Sequence, residues 1–221
     1  MRNNNAADQE SAQEEPAGTG SYLLYVSDLA RCLAVSSHTV AGDLFVLEGA
    51  DMIRRLHPYH ANVQKRLTRS RKVYIRDTGL LHFLACLRQP KELLTWPKRG
   101  ASFEGMVVEE LVALAAQSLV RPGIFFRRTQ AGAEVDLLIA EGQGMLAIEI
   151  KLGVPVSHNA VAGLRQCMKD LGLRRGRVVT TGPGKHRLSP GIEIIPWRDI
   201  VSGQIERSTE DIRVIRGKSF S

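Results

Sequence analysis

Two apolar runs, each broken by acids, organise this chain: AEVDLLIA at residues 133–140 and MLAIEIKLG at residues 145–153. Side chains on a strand alternate between faces, so Leu146, Ile148, Ile150 and Leu152 share one face while Glu149 and Lys151 share the other. The same alternation predicts Val135, Leu137 and Ile139 on one face of the preceding strand, with Glu134 and Asp136 opposite. Between them, Glu141-Gly-Gln-Gly144 is a turn signal, and the resulting hairpin would set Asp136 beside Glu149.

Before this pair, Glu104, Val107, Val108, Leu111, Ala115 and Leu119 recur at helical spacing and predict a helix over Phe103 to Leu119. Glu104 falls on its sheet-facing stripe, whereas Glu109 and Glu110 fall toward solvent. The pattern then predicts strands over Ile124 to Arg128, Glu134 to Ala140 and Met145 to Lys151, a helix over Ser157 to Leu171, a strand over Arg177 to Thr181 and a last short strand, IEIIP. A helix between the Lys151 and Val178 strands makes a βαβ crossover, so those strands should be parallel and the connection right-handed. The fold class is α/β, in the order α-β-β-β-α-β.

Upstream, SDLARCLAV and SSHTVAGDLFVLEGADM are two short amphipathic stretches separated by a Val-Ser-Ser turn. Ser27 is placed to cap the first helix and Ser36 or Ser37 the second. Leu29, Leu33, Val35, Val40, Leu44 and Leu47 suit a small three-helix core, and MIRRLHPY reads as a strand. The basic run Lys65, Arg66, Arg69, Arg71 and Lys72, leading into VYI, suits the wing of a winged helix. IRDTGLLHFLACL predicts a helix after Asp77-Thr-Gly79, followed by a loop around Pro90 and Pro97. The expected organisation is a disordered leader (1–20), a winged-helix-like domain (21–76), a helical connector (77–100), an α/β domain (101–205) and a C-terminal tail (206–221).

Charge sharpens this picture. The 221 residues carry a net charge of +7, and the leader, with one arginine against four acids, leaves the remainder more basic still. Such a body favours a polyanionic partner, with DNA the leading candidate, while solubility alone is the alternative. No apolar run approaches the ~18–20 residues needed to cross a membrane, and the N-terminus lacks the apolar stretch of a secretory signal. Cys32, Cys86 and Cys167 are odd in number and widely spaced, as expected of reduced, buried thiols in a cytoplasmic protein. His57, His60 and His82 lack metal spacing.

The acids carry the candidate chemistry. Two carboxylates facing each other across a strand pair repel unless a cation sits between them, and hard cations such as Mg2+ prefer such oxygens. Glu104, aimed inward, likewise needs a partner or a metal.

In this order of elements, Glu104, Asp136 and Glu149-x-Lys151 resemble the PD-(D/E)xK nuclease superfamily. More narrowly, SFEGMVVEEL, FFRRTQAGAEVDLLIA, LAIEIKLG and RKVYIRDTGLLHFL resemble the C-terminal half of a family of prokaryotic AAA+ ATPases, in which a winged helix and a nuclease-like domain of unknown function follow the ATPase. The resemblance covers about residues 22–200. It implies a restriction-endonuclease-like core and metal-dependent hydrolysis of DNA phosphodiesters. Asp136 and Glu149, with the Ile150 carbonyl, would ligate Mg2+ or Mn2+, and Glu104 would hold the metal or its waters. Lys151 would position the attacking water or neutralise charge on the phosphate. Glu134 and Gln166 would assist from behind, and Arg127 and Arg128, with the basic run at Lys65–Lys72, would hold the nucleic-acid backbone. A homodimer is also implied.

No GxxxxGK[ST] phosphate loop occurs, and Gly182-Pro-Gly-Lys185 has neither its spacing nor its Ser/Thr, so no nucleotide chemistry is expected. Met1 and the polar leader suit an independent reading frame. Two other functions fit the same residues: a DNA-binding platform with an inactive nuclease-like fold, and a module that docks on a separate ATPase.

Overall fold

The computed structural model describes residues 23–24, 26–59, 71–129, 133–154, 156–157 and 159–202. Lys65, Arg66 and Arg69 lie outside the described residues, as do the expected leader and tail.

The first unit comprises β1 (Leu23–Leu24), α1 (Val26–Leu33), α2 (Ser37–Gly49), β2 (Ile53–Pro58) and β3 (Arg71–Ile75). Ser36 caps α2, its Oγ accepting the Thr39 N–H at 3.0 Å. Ala30, Val40, Leu44 and Ile53 form its core, against Val26, Leu29, Val73 and Ile75. Among the described residues two helices rather than three cover this core, so Leu33, Val35 and Leu47, expected inside, are exposed. β3 pairs antiparallel with both β1 and β2.

Next come α3 (Thr78–Leu84), capped by the Asp77 carboxylate on the Leu80 N–H at 2.7 Å, and α4 (Pro90–Thr95). Pro90 opens a helix instead of a loop: its fixed φ suits the first turn, where a missing N–H costs nothing. Glu92 reinforces the start by accepting the Gln89 N–H at 3.0 Å.

The remaining elements are α5 (Arg99–Ser118), β4 (Gly123–Arg128), β5 (Glu134–Glu141), β6 (Gly144–Lys151), a 3-10 turn at Asn159–Val161, α6 (Ala162–Leu171), β7 (Gly176–Thr180), β8 (His186–Ser189), β9 (Ile192–Pro196) and α7 (Trp197–Val201). Here the expected helix-strand-strand-strand-helix-strand order is present, and β8 and α7 are additional. β5 and β6 form the expected hairpin, with Gly142 in its turn at φ 59°. β6 and β7 are parallel around α6.

The nine strands of the described residues join one sheet, ordered β1-β3-β2-β4-β5-β6-β7-β9-β8. The seam is a parallel pairing of β2 with β4, His57 opposite Phe125 and Pro58 opposite Phe126, so the two expected domains share a sheet. On one face α5 packs Val107, Val108, Leu111 and Ala115 onto Leu137, Ile139, Ile148 and Ile150. On the other, α6 packs Leu164, Cys167 and Met168 onto Val135, Leu138, Ala147 and Val178.

Val135 and Leu137 therefore lie in different cores, contrary to simple alternation. Phe125 pairs with Leu138 but Arg127 with Val135, so β5 spends one more residue than β4 over this step. Such a bulge resets the period of two, and it lets Asp136 and Leu137 both serve the α5 side.

Glu109 also departs from expectation. It is not free in solvent but accepts from Arg54 Nη2 at 3.0 Å and Arg76 Nε at 2.8 Å, tying α5 to the β2–β3 strands. Of the three thiols, Cys167 is buried while Cys32 and Cys86 are exposed.

Candidate active site

The β5–β6 ladder runs from Glu141 opposite Gly144 to Leu137 opposite Ile148. The next positions in register are Asp136 and Glu149. There the backbone pairing gives way to a side chain, as Asp136 Oδ2 accepts the Ile150 N–H at 2.9 Å. Glu149 and Lys151 share a face, as alternation requires, and form an ion pair of 2.6 Å. Glu104 reaches the same cluster from the inward stripe of α5 and is 4% exposed; Asp136 and Glu149 are 5% and 6% exposed.

At the centre lies Lys72, with no exposed surface. Its Nζ donates to Glu104 Oε1 at 3.0 Å and Asp136 Oδ1 at 2.9 Å, and pairs with Glu134 Oε1 at 2.6 Å. It also stands 5.6 Å from the centre of the Phe126 ring. Tyr74 Oη donates to Glu104 Oε1 at 2.6 Å. Lys72, expected on a solvated wing facing DNA, is thus an internal partner of the acids. The reason is the strand period: Val73 and Ile75 face α1 and α2, which turns Lys72 and Tyr74 toward α5.

Two glycines permit this closeness. A Cβ at Gly163, in the first turn of α6, would lie 2.4 Å from the carbonyl oxygen of Glu134, so only glycine lets the helix meet the start of β5. A Cβ at Gly105 would lie 3.1 Å from the Tyr74 ring.

Protonation follows from burial and crowding. Burial, then the charge of Asp136, raises Glu104 to about 7, against the pull of Lys72 and Tyr74. Burial and Asp136 likewise raise Glu149 to about 8, opposed by Lys151. For Asp136, burial pushes upward but Lys72, Lys151 and the Ile150 N–H outweigh it, leaving the carboxyl below its ordinary range. Burial would lower Lys72, yet Asp136, Tyr74, Glu104 and Glu134 hold the ammonium well above the usual lysine value. Lys151 is raised in the same way, burial being outweighed by Glu149 and Asp136. Of Asp136, Glu104 and Glu149, the first is therefore firmly ionised and the other two retain protons near neutrality.

In donor chemistry these residues fit a hard divalent cation. All are carboxylate oxygens, and Glu149 Oε2 is buried without a hydrogen-bond partner. In position they are committed elsewhere: Glu104 and Asp136 each turn an oxygen to Lys72 Nζ, and among the described residues no three acid, histidine or cysteine groups converge as a metal cluster.

Other expected site residues are not brought here. Gln166 donates to Asp170 at 2.6 Å on the exposed side of α6. Arg127 pairs with Asp170 at 2.6 Å on the same flank, leaving Arg128 exposed at the end of β4 and Arg71 half-buried at the start of β3. Sequence reading missed Lys72 and Tyr74 as members of the cluster. Their i, i+2 spacing on a strand was the available signal, the same one that joined Glu149 to Lys151.

Residues 99–200 match the model of a domain of unknown function, DUF4143, and residues 15–91 match a second, DUF8612. Uncharacterised proteins of Mycobacterium bovis and Mycobacterium tuberculosis are each 38% identical to the chain over 178 residues, 80% of this chain and 38% of theirs. The chain thus spans about 38% of the length of the curated relatives it matches. No solved structure matches the chain. No helix among the described residues is long and apolar enough to cross a membrane.

Proposed function

We propose that this chain is a nuclease-like module that acts on DNA and hydrolyses phosphodiester bonds with Mg2+ or Mn2+. In this reading α5 through β7 form a restriction-endonuclease-like core, and the unit containing β1–β3 is a winged helix. The observation that carries it is the end of the β5–β6 ladder, where Asp136 leaves backbone pairing to face Glu149 and hold the Ile150 N–H, with Lys151 beside Glu149. Glu104 reaches the same cluster from a separate helix.

Asp136 and Glu149, with the Ile150 carbonyl, would hold the cation, and Glu104 would hold it or its waters. When bound, the cation lowers the pKa of a coordinated water and offsets charge on the phosphate. Lys151, with 37% of its side chain exposed, is the amine placed to meet substrate, orienting the attacking water or neutralising the phosphate oxygens. Arg128 is available for the backbone of bound DNA. The resemblance to AAA+ proteins adds a further proposal: the module works in the cytoplasm with an ATPase.

Plasmid nicking with Mg2+ or Mn2+ tests this reading, with Asp136→Ala and Lys151→Ala proteins alongside. Metal-dependent cleavage that both substitutions abolish is the expected result. A second reading, an inactive DNA-binding platform, is favoured by the hold of Lys72 on three acids. Intact DNA binding without cleavage by any protein would establish it instead.

A further inference from the structure

Lys72 Nζ donates to two carboxylates, Asp136 at 2.9 Å and Glu104 at 3.0 Å, and forms an ion pair with a third, Glu134, at 2.6 Å. The side chain has no exposed surface. This is the arrangement of a coordinated cation, except that the cation is tethered to the chain. Lysine is almost never fully buried unless paired, and here the pairing partners are the acids that the preceding reading assigns to a divalent metal.

We infer that the Lys72 ammonium and a divalent cation are alternative occupants of the same carboxylate cluster, so that loading the metal requires Lys72 to release Glu104 and Asp136. The inference rests on the reading of Asp136, Glu149 and Glu104 as a cation site, and adds the residue that governs its affinity. A monovalent and a divalent charge cannot both sit within ~3 Å of the same oxygens in a buried site without strong repulsion. Glu149 is the exception among the acids: its ion pair is with Lys151 and not with Lys72, and its Oε2 is unpartnered. Its Oε2 is therefore the oxygen that no ammonium holds, open to a cation once the proton favoured by burial leaves, while Asp136 and Glu104 must be exchanged. Because Lys72 belongs to β3, which also packs against α1 and α2 through Val73 and Ile75, the exchange connects the first unit to the acidic cluster.

Direct Mn2+ binding, measured by calorimetry on the full chain, tests the inference. Lys72→Met keeps the apolar stem and removes the charge. It should bind Mn2+ at least ten-fold more tightly than the parent protein, whereas Lys72→Arg, which retains a cation, should not gain. Asp136→Asn should abolish binding in each background. Equal affinity in the parent and Lys72→Met proteins, with Asp136→Asn still abolishing binding, overturns the exchange and leaves the cation site standing. Binding that is absent throughout, or indifferent to Asp136→Asn, removes both.

The parent protein supplies a second test, in which the titrated chain itself is unaltered. The Lys72 15Nζ resonance, identified by its loss in Lys72→Arg, should exchange slowly with solvent and shift when Mg2+ saturates the Asp136-dependent site. A resonance unmoved at saturation overturns the inference.

Discussion

Lys72 and Asp136, 64 residues apart in the chain, share a buried hydrogen bond of 2.9 Å. The cation comes from the strand pair that α1 and α2 cover, while the anion comes from the hairpin of the α5–α6 layer. Their meeting depends on the β2–β4 seam, which makes one sheet of the two units. The acidic cluster is consequently part of what holds the units together, along with Glu109 and its two arginines.

Removing Asp136 should therefore destabilise the protein strongly. Asp136→Ala deprives Lys72 of one of its three acids and the Ile150 N–H of its acceptor. Breaking a buried ion pair from one side costs about 3–5 kcal/mol. Lys151 is partly solvated, and its buried partner Glu149 holds a proton near neutrality, so Lys151→Ala should cost less than Asp136→Ala. Urea unfolding at neutral pH measures both; similar losses for the two variants would contradict this account of Lys72.

Gly163 and Gly42 make a matched pair of tests. At Gly163 an added methyl collides with the backbone of Glu134, which cannot rotate away, so Gly163→Ala should cost about 1–3 kcal/mol. At Gly42, inside α2, a Cβ meets nothing within 4 Å, and alanine should add about 0.5–1 kcal/mol through helix propensity. Thermal melts of the two variants should move in opposite directions. A Gly163→Ala protein as stable as its parent would show that α6 does not fix the start of β5.

Much of this arrangement is legible in the sequence because it depends on short-range periodicity. The i, i+3, i+4 stripe placed Glu104 inward on α5, and the alternation in β6 joined Glu149 to Lys151. What failed was long-range or depended on register. The bulge opposite Phe125–Arg127 splits Val135 from Leu137, and it arises from pairing with another strand. Lys72 read as surface charge because it ends a basic run, yet its face was decided by which helices cover β3. Gln166 sits on a helix whose outer face pairs it with Asp170, so its closeness in sequence to the nuclease-like motif had no counterpart in space.

The two raised acids give stability a definite pH dependence. Glu104 and Glu149 titrate near 7 and 8 in the folded protein, against an ordinary 4.5. Between these values the folded chain binds more protons than the unfolded chain, so stability falls as pH rises from about 5 to about 8. Asp136 has the opposite sign: depressed below 3.8, it contributes stability above that value that is lost as pH falls through the acid range. Glu149→Gln should flatten the decline between about pH 5 and pH 8 in denaturant titrations. An unchanged slope would mean that Glu149 is ionised in the folded protein throughout.

The two neighbouring arginines of β4 should separate DNA contact from structural support. Arg127 is already engaged by Asp170, with 16% of its side chain exposed, whereas Arg128 is exposed at the strand end. If DNA lies along this edge, Arg128→Ala should weaken binding and lower the slope of log affinity against log salt by about 0.9, the effect of losing one phosphate contact on duplex DNA. Arg127→Ala should instead lower thermal stability slightly and leave the salt slope nearly intact. Fluorescence anisotropy over a range of salt concentrations distinguishes them. A slope changed by Arg127→Ala and not by Arg128→Ala would place the nucleic acid on the α6 flank, where the Arg127–Asp170 pair would have to open to receive it.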